Sequence, residues 1–114
     1  MIYLASPYTH KDSTRVERRY LDTVWVMSLL LKQGLMVYSP IVHCHVIVNN
    51  HNMPTDAKFW ESYNEHFLSL CTELFVYKLL DWDVSYGVSW EIKYAQEHNI
   101  PIKFIEYNGE FSCQ

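Results

Sequence analysis

Glycine is scarce: Gly34, Gly87 and Gly109 are all the chain contains. Neither the Walker pattern nor the dinucleotide-binding glycine pattern can be built from them. A large nucleotide cofactor cradled by a glycine loop in the usual way is therefore excluded, and no cofactor is expected. The three cysteines, Cys44, Cys71 and Cys113, show no CxxC spacing. An odd count without paired spacing forms no disulfide framework and predicts reduced thiols in a cytoplasmic setting. No apolar run approaches the roughly 20 residues needed to span a bilayer, so no membrane partner is expected. Positive charge is in the minority, with 9 Lys and Arg against 13 Asp and Glu and a formal charge of −4. That balance argues against a nucleic-acid polymer as main partner, although a local basic patch can still hold a phosphate. Linkers, repeats and low-complexity segments are absent too. The opening Met1–Ser6 is too short for a signal peptide. It reads as a strand so close to the terminus that nothing is expected to precede the domain.

What is present points to a packed core. A chain of 114 residues with 49% hydrophobic and 16% aromatic content is not disordered, and it is expected to form a single domain over 1–114. Ile2 to Ser6 reads as the first strand and Pro7 to Ser13 as a polar loop. Thr14-Arg15-Val16-Glu17 fits a capping box. Val16, Tyr20, Val24, Met27 and Leu31 then recur at helical spacing to about Gln33, where Gly34 stops the helix. Leu35 to Tyr38 is a second strand closed by Ser39-Pro40, completing a right-handed βαβ unit. Ile41 to Lys58 is the least regular part, with six polar loop formers between Asn49 and Asp56. Phe59 to Cys71 reads as a helix with Trp60, Phe67 and Leu68 among its apolar positions. Leu74 to Tyr77 is a third strand, and a helix follows in which Val88, Ile92 and Ala95 share a face. Pro101 to Ile105 is a fourth strand, and Asn108-Gly109 begins a polar tail.

Strands alternating with helices define an α/β domain of three layers, Rossmann- or flavodoxin-like, with a parallel sheet of about four strands. A strand order of 2-1-3-4 places the switch point between strands one and three, where ligands bind in such sheets. The loops Ser6-Pro7-Tyr8 and Asp81 to Ser85 then converge on one crevice.

Glu91 follows the second of these loops and is expected in the first turn of its helix. There the helix dipole favours the ionised form, and an ionised carboxylate at a crevice is a candidate nucleophile. The plainer alternative is an acidic residue placed there only because it suits the dipole. His43 and His45, two apart in an extended segment, would point the same way. A pair without a third ligand is too few for zinc, so no metal site is expected and both are read as loop histidines lining a pocket. Cys71 belongs to the core rather than to chemistry. No Cys/His or Ser/His spacing identifies itself as a triad. Tyr3, Tyr8, Trp82, Tyr86 and Trp90 gather near the predicted crevice and could stack on a base or close over a sugar. Ordinary packing is the expectation for at least half of them.

Taken together, Ile2-Tyr3-Leu4-Ala5-Ser6-Pro7-Tyr8 and Ser85-Tyr86-Gly87-Val88-Ser89-Trp90-Glu91 resemble the nucleoside 2-deoxyribosyltransferase superfamily, closest to its small branch carried by phages and bacteria. The likeness covers nearly the whole chain, and its more specific part is the Ser-x-Gly-Val-x-x-Glu motif that contains Gly87. It implies that Glu91 attacks the anomeric carbon of a sugar and expels the base, through an oxocarbenium-like transition state and a covalent sugar ester. Tyr3 would orient that nucleophile, and Ser6 with the Tyr8 loop would lie against the sugar or its 5′ substituent. The resemblance puts a serine, Ser85, where the branch that hydrolyses nucleoside 5′-monophosphates binds phosphate and where the transferases carry an aspartate. A hydroxyl can donate to phosphate, whereas a carboxylate would repel it. Arg15, near the first helix start, could add charge.

Two departures accompany the likeness. Asn64 stands where the family has an aspartate that binds the sugar and assists the leaving base, and an amide is not a proton donor of that kind. Glu61, Glu65 or Asp81 could substitute. The Asp81-Trp82-Asp83 loop is also about two residues longer than in the monophosphate hydrolases, by a count anchored on the buried strand.

The leading expectation is hydrolysis of the N-glycosidic bond of a (deoxy)ribonucleoside 5′-monophosphate. The alternatives are deoxyribosyl transfer between bases and a non-catalytic module that binds or sequesters a nucleotide. The partner expected in each case is a small nucleotide or nucleoside. The resemblance further implies a homodimer or larger homo-oligomer.

Overall fold

The computed structural model of the chain describes residues 1–54, 56, 58–108 and the backbone of 111–113. The elements run β1 (Ile2–Ala5), α1 (Ser13–Lys32), β2 (Val37–Tyr38), α2 (Pro40–Asn50), α3 (Glu61–Ser69), β3 (Glu73–Tyr77), α4 (Tyr86–Glu97), β4 (Ile102–Tyr107) and β5 (Phe111–Cys113), with a 3-10 turn at Trp82–Val84. β1 to β4 are parallel in the order 2-1-3-4, as the alternation of strands and helices predicts.

Alternate residues of the central strands face opposite layers, the period of a strand. Ile2, Leu4, Phe75 and Tyr77 pack with Val26 and Leu30 of α1. Tyr3, Ala5, Leu74 and Val76 pack with Leu68, Val88 and Ala95 of α3 and α4. Both faces are covered, which is why these strands read as unbroken apolar runs. Leu4 has no exposed surface, so Leu4→Ala is expected to cost about 2–5 kcal/mol in a denaturant titration.

Three local expectations are corrected. The cap of α1 is Asp12, whose carboxylate accepts from Thr14 N at 2.9 Å; it is not Thr14. The helix starts two residues sooner than the capping-box reading, and its buried stripe is Thr23, Val26 and Leu30, with Leu31 exposed. The second correction concerns the stretch expected to be irregular, which begins with α2. Ser39 Oγ accepts from Val42 N at 3.2 Å and Pro40 takes the first turn, so the pair that closes β2 also starts a helix. The third concerns the C-terminal end, where 111–113 return antiparallel to β4 as a fifth strand rather than trailing as a polar tail. Gly109 and the Cys113 side chain lie outside the described residues. Gly34, at φ +85°, does end α1, because a side chain there would be strained.

Among the described residues, no helix is long and apolar enough to cross a membrane.

Candidate active site

A cavity of about 530 Å³ opens beyond the carboxyl ends of β1 and β2 and the loop after β3, at the switch point. Four segments wall it: Ser6–Thr9 after β1, the α2 face bearing Ile41, Cys44, His45 and Val48, the α3 approach with Trp60, Glu61 and Asn64, and Val84–Gly87 with Trp90 and Glu91 of α4. The two loops that the strand order predicts to converge do so. Arg19 ties them, donating from Nη1 to Thr9 O at 3.0 Å and from Nη2 to Leu80 O at 3.5 Å, with Asp81 Oδ2 at 3.8 Å.

Glu91 is 5% exposed. Ser85 caps α4 by accepting from Val88 N at 3.3 Å, so Glu91 stands in the second turn, not the first. The helix dipole acts mainly within the terminal turn, and the expected preference for the anion is overturned. Burial dominates and pushes the carboxyl from its ordinary 4.5 up to about 8, opposed by the nearby Tyr3 hydroxyl. Glu91 lies on the stripe Val88, Glu91, Ala95 that faces the sheet. An acid in a core stripe is a signal readable in the sequence.

Tyr3 comes up from β1 beneath it, fully buried. Its hydroxyl reaches no hydrogen-bond geometry with any described residue, yet it is close enough to Glu91 to influence its charge. Burial first, and the Glu91 carboxylate second, hold the phenol well above its ordinary value. The hydroxyl therefore stays protonated beside Glu91, available to a carboxylate that moves towards it.

The serines differ in what they can offer. Ser6 Oγ lies 3.1 Å from Thr23 Oγ1, whose own proton goes to Arg19 O at 2.8 Å. Ser6 must then be the donor to Thr23, and it shows the cavity an acceptor. Ser85 is the converse: its oxygen accepts the α4 cap bond, leaving its O–H to donate.

Other predicted residues divide. Tyr8, His45, Asn64 and Gly87 line the cavity. Arg15 is exposed and does not line it, because the first turn of α1 directs it outward. Asp81 is likewise outside, held at φ +69° at the start of the 3-10 turn and facing Arg19. His43 and His45 do not point the same way, since two residues on a helix turn by about 200°. His45 enters the cavity wall, whereas His43 faces α3, with Nδ1 3.1 Å from Tyr63 Oη. Of the five aromatics, Tyr8, Tyr86 and Trp90 line the cavity, while Trp82 packs on Phe104. Cys71 is buried and its thiol donates to Phe67 O. Sequence reasoning missed the Tyr86 to Glu61 hydrogen bond across the mouth, the Arg19 tie and the partners of His45. The Arg19 tie to Thr9, the Tyr86 bond and the Tyr8 and Glu17 contacts of His45 all join residues at least 10 positions apart in the chain, where no local pattern reports them.

Fold and site together define the class: a three-layer α/β domain whose switch-point cavity holds a buried carboxyl. Residues 1–107 match the family described as "Domain of unknown function (DUF1937)", and the chain belongs to that family. Comparison with curated proteins gives no match.

Proposed function

We propose that this protein hydrolyses the N-glycosidic bond of a (deoxy)ribonucleoside 5′-monophosphate, with Glu91 as nucleophile. The observation that carries the reading is a carboxyl buried in a nucleotide-sized cavity with a protonated tyrosine beside it. Burial makes the anion costly, and that cost is relieved as its charge is consumed in a bond to the anomeric carbon. The cavity lies within the usual range for small-molecule sites, about 300–1,000 Å³. Ile41, Val48 and Trp90 give walls on which a planar base can lie. The Ser6 oxygen suits a sugar hydroxyl, and Asn64 can serve another. The start of α4 with its Ser85 hydroxyl, together with the start of α2, favours an anion, and Lys58 stands at the rim. Arg15 drops out of this scheme. A homodimer belongs to the same reading, and Leu21 and Trp25 of α1 are exposed and available to it.

Chromatography of the protein incubated with each common nucleoside, deoxynucleoside and 5′-monophosphate tests the proposal, with Glu91→Gln as control. Free base from a monophosphate supports it. Release only when a second base is supplied means transfer. Intact substrates with a raised melting temperature mean a binding module. Ser85→Ala is expected to lose about 1 kcal/mol of stability with its cap. It should also raise KM for the monophosphate while leaving that for the parent nucleoside unchanged; equal effects on both would remove Ser85 from phosphate binding.

A further inference from the structure

Three side chains link the cavity to solvent through hydrogen bonds. Tyr8, half-buried, lines the cavity, and its hydroxyl lies 2.7 Å from His45 Nδ1. His45 is 3% exposed, and its Nε2 lies 2.8 Å from Glu17 Oε2. The Glu17 side chain is 50% exposed, at the outer end. Tyr20 stacks on the imidazole with ring centroids 4.0 Å apart, and with Tyr8 on one ring nitrogen and Glu17 on the other the ring is held in one orientation.

The proton order follows from the acceptor. An ionised carboxylate only accepts, so Nε2 carries the hydrogen that Glu17 binds, and Nδ1 is the end that exchanges a proton with Tyr8. With a neutral ring, the Tyr8 O–H donates to Nδ1. With an imidazolium, Nδ1–H donates to the Tyr8 oxygen, and the Tyr8 O–H is free to donate into the cavity.

Departure of a base anion calls for such a donor. The other acids along the wall are committed: Glu91 attacks, Glu61 accepts from Tyr86, and Asp56 accepts from Phe59 N at 2.7 Å on the exposed rim. Asn64 has no acidic proton to give.

We infer that Tyr8 is the proton donor and acceptor of the cleavage, recharged by His45, with Glu17 as the positioning residue; this rests on the hydrolase reading above. In the first half, the Glu91 carboxylate forms a bond to the anomeric carbon as the C–N bond breaks and its electron pair goes to the base. Tyr8 gives its proton to the base nitrogen, and the Nδ1 proton passes to the Tyr8 oxygen. His45 ends neutral and Glu17 stays a carboxylate. In the second half, water attacks the anomeric carbon and the ester C–O bond breaks with its pair returning to Glu91. The proton from water passes through Tyr8 to Nδ1, restoring the imidazolium, and the count closes.

The test compares wild type, Tyr8→Phe, His45→Gln and Glu17→Gln on two substrates. One is the common nucleoside 5′-monophosphate that wild type cleaves fastest. The other is 4-nitrophenyl β-D-ribofuranoside 5-phosphate, whose phenolate departs without a proton. For Tyr8→Phe and His45→Gln, the loss in kcat/KM, which reports the first half alone, is expected to be at least about 100-fold greater on the nucleotide than on the phenyl probe. Glu17→Gln should show the same split, reduced in size. Equal losses on both substrates, or no loss on the nucleotide, overturn the inference while leaving the hydrolase reading intact. If wild type cleaves only the nucleotide, the solvent deuterium isotope effect on kcat/KM decides: its disappearance in Tyr8→Phe supports the inference and its persistence refutes it. A wild type inert on every monophosphate removes the hydrolase reading and this inference with it. Tyr8→Phe keeps the ring and deletes one oxygen, so folding of at least that variant, checked by melting, keeps the comparison open.

Discussion

Glu91→Gln is expected to lower base release by on the order of 10³-fold or more while leaving the protein folded. The amide matches the carboxyl in size, so Val88, Ala95 and the sheet beneath it keep their packing. Its oxygen cannot carry the charge that a nucleophile must hand to the anomeric carbon, and no other acid occupies the core-facing stripe of α4. Single-turnover measurement with the preferred monophosphate separates this loss from altered binding. Persistence of the wild-type rate would falsify the assignment of Glu91. On a substrate whose leaving group needs no proton, the wild-type rate should rise with pH through about 8, because only the ionised carboxyl attacks and burial has moved it that far.

The second large effect concerns stability. Glu91 is raised from 4.5 to about 8 in the folded protein, so the folded state holds a proton there that the unfolded chain releases. Its contribution is fully present below about pH 4.5 and is lost as pH rises through about 8. Each tenfold change in proton affinity is worth about 1.4 kcal/mol, so the difference between folded and unfolded chain amounts to several kcal/mol. Wild type and Glu91→Gln should unfold at similar denaturant concentrations at about pH 5 and separate progressively by about pH 9, with the variant the more stable. Taking the difference between the two proteins cancels the titration of the histidines and other acids. Curves that stay parallel across that range would mean that Glu91 ionises freely in the folded state.

Both predictions turn on one residue, and only half of its character is visible in the order of residues. That Glu91 follows a strand and a loop is written in the run from Leu74 to Glu91. That it is not in the first turn follows from the cap, since Ser85 accepts from Val88 N and Glu91 is then the sixth helical residue. Counting from the Ser85 cap moves Glu91 out of the dipole's reach and on to the buried stripe, which reverses the direction in which its pKa moves. His45 has a similar history. Ser39-Pro40 closes β2 as its residues suggest, but it also opens a helix, and that helix decides that His43 and His45 oppose one another rather than share a side.

By itself the sequence determined the α/β class, the parallel order 2-1-3-4, the two loops that meet at the switch point, and Tyr3, Ser6, Ser85 and Glu91 as residues to watch. The fold rests on short-range periodicity and on the handedness of strand crossovers, which act within a few dozen residues, whereas Tyr3, Ser6 and Ser85 are singled out by the likeness of their motifs to a known family. The tertiary structure alone decided the Glu17–His45–Tyr8 chain, the Arg19 tie, and the exclusion of Arg15 and Asp81 from the cavity. It also decided how far burial moves Glu91. Each of these depends on which distant side chains share a small volume away from water, and desolvation and hydrogen-bond pairing exist only once the layers have closed.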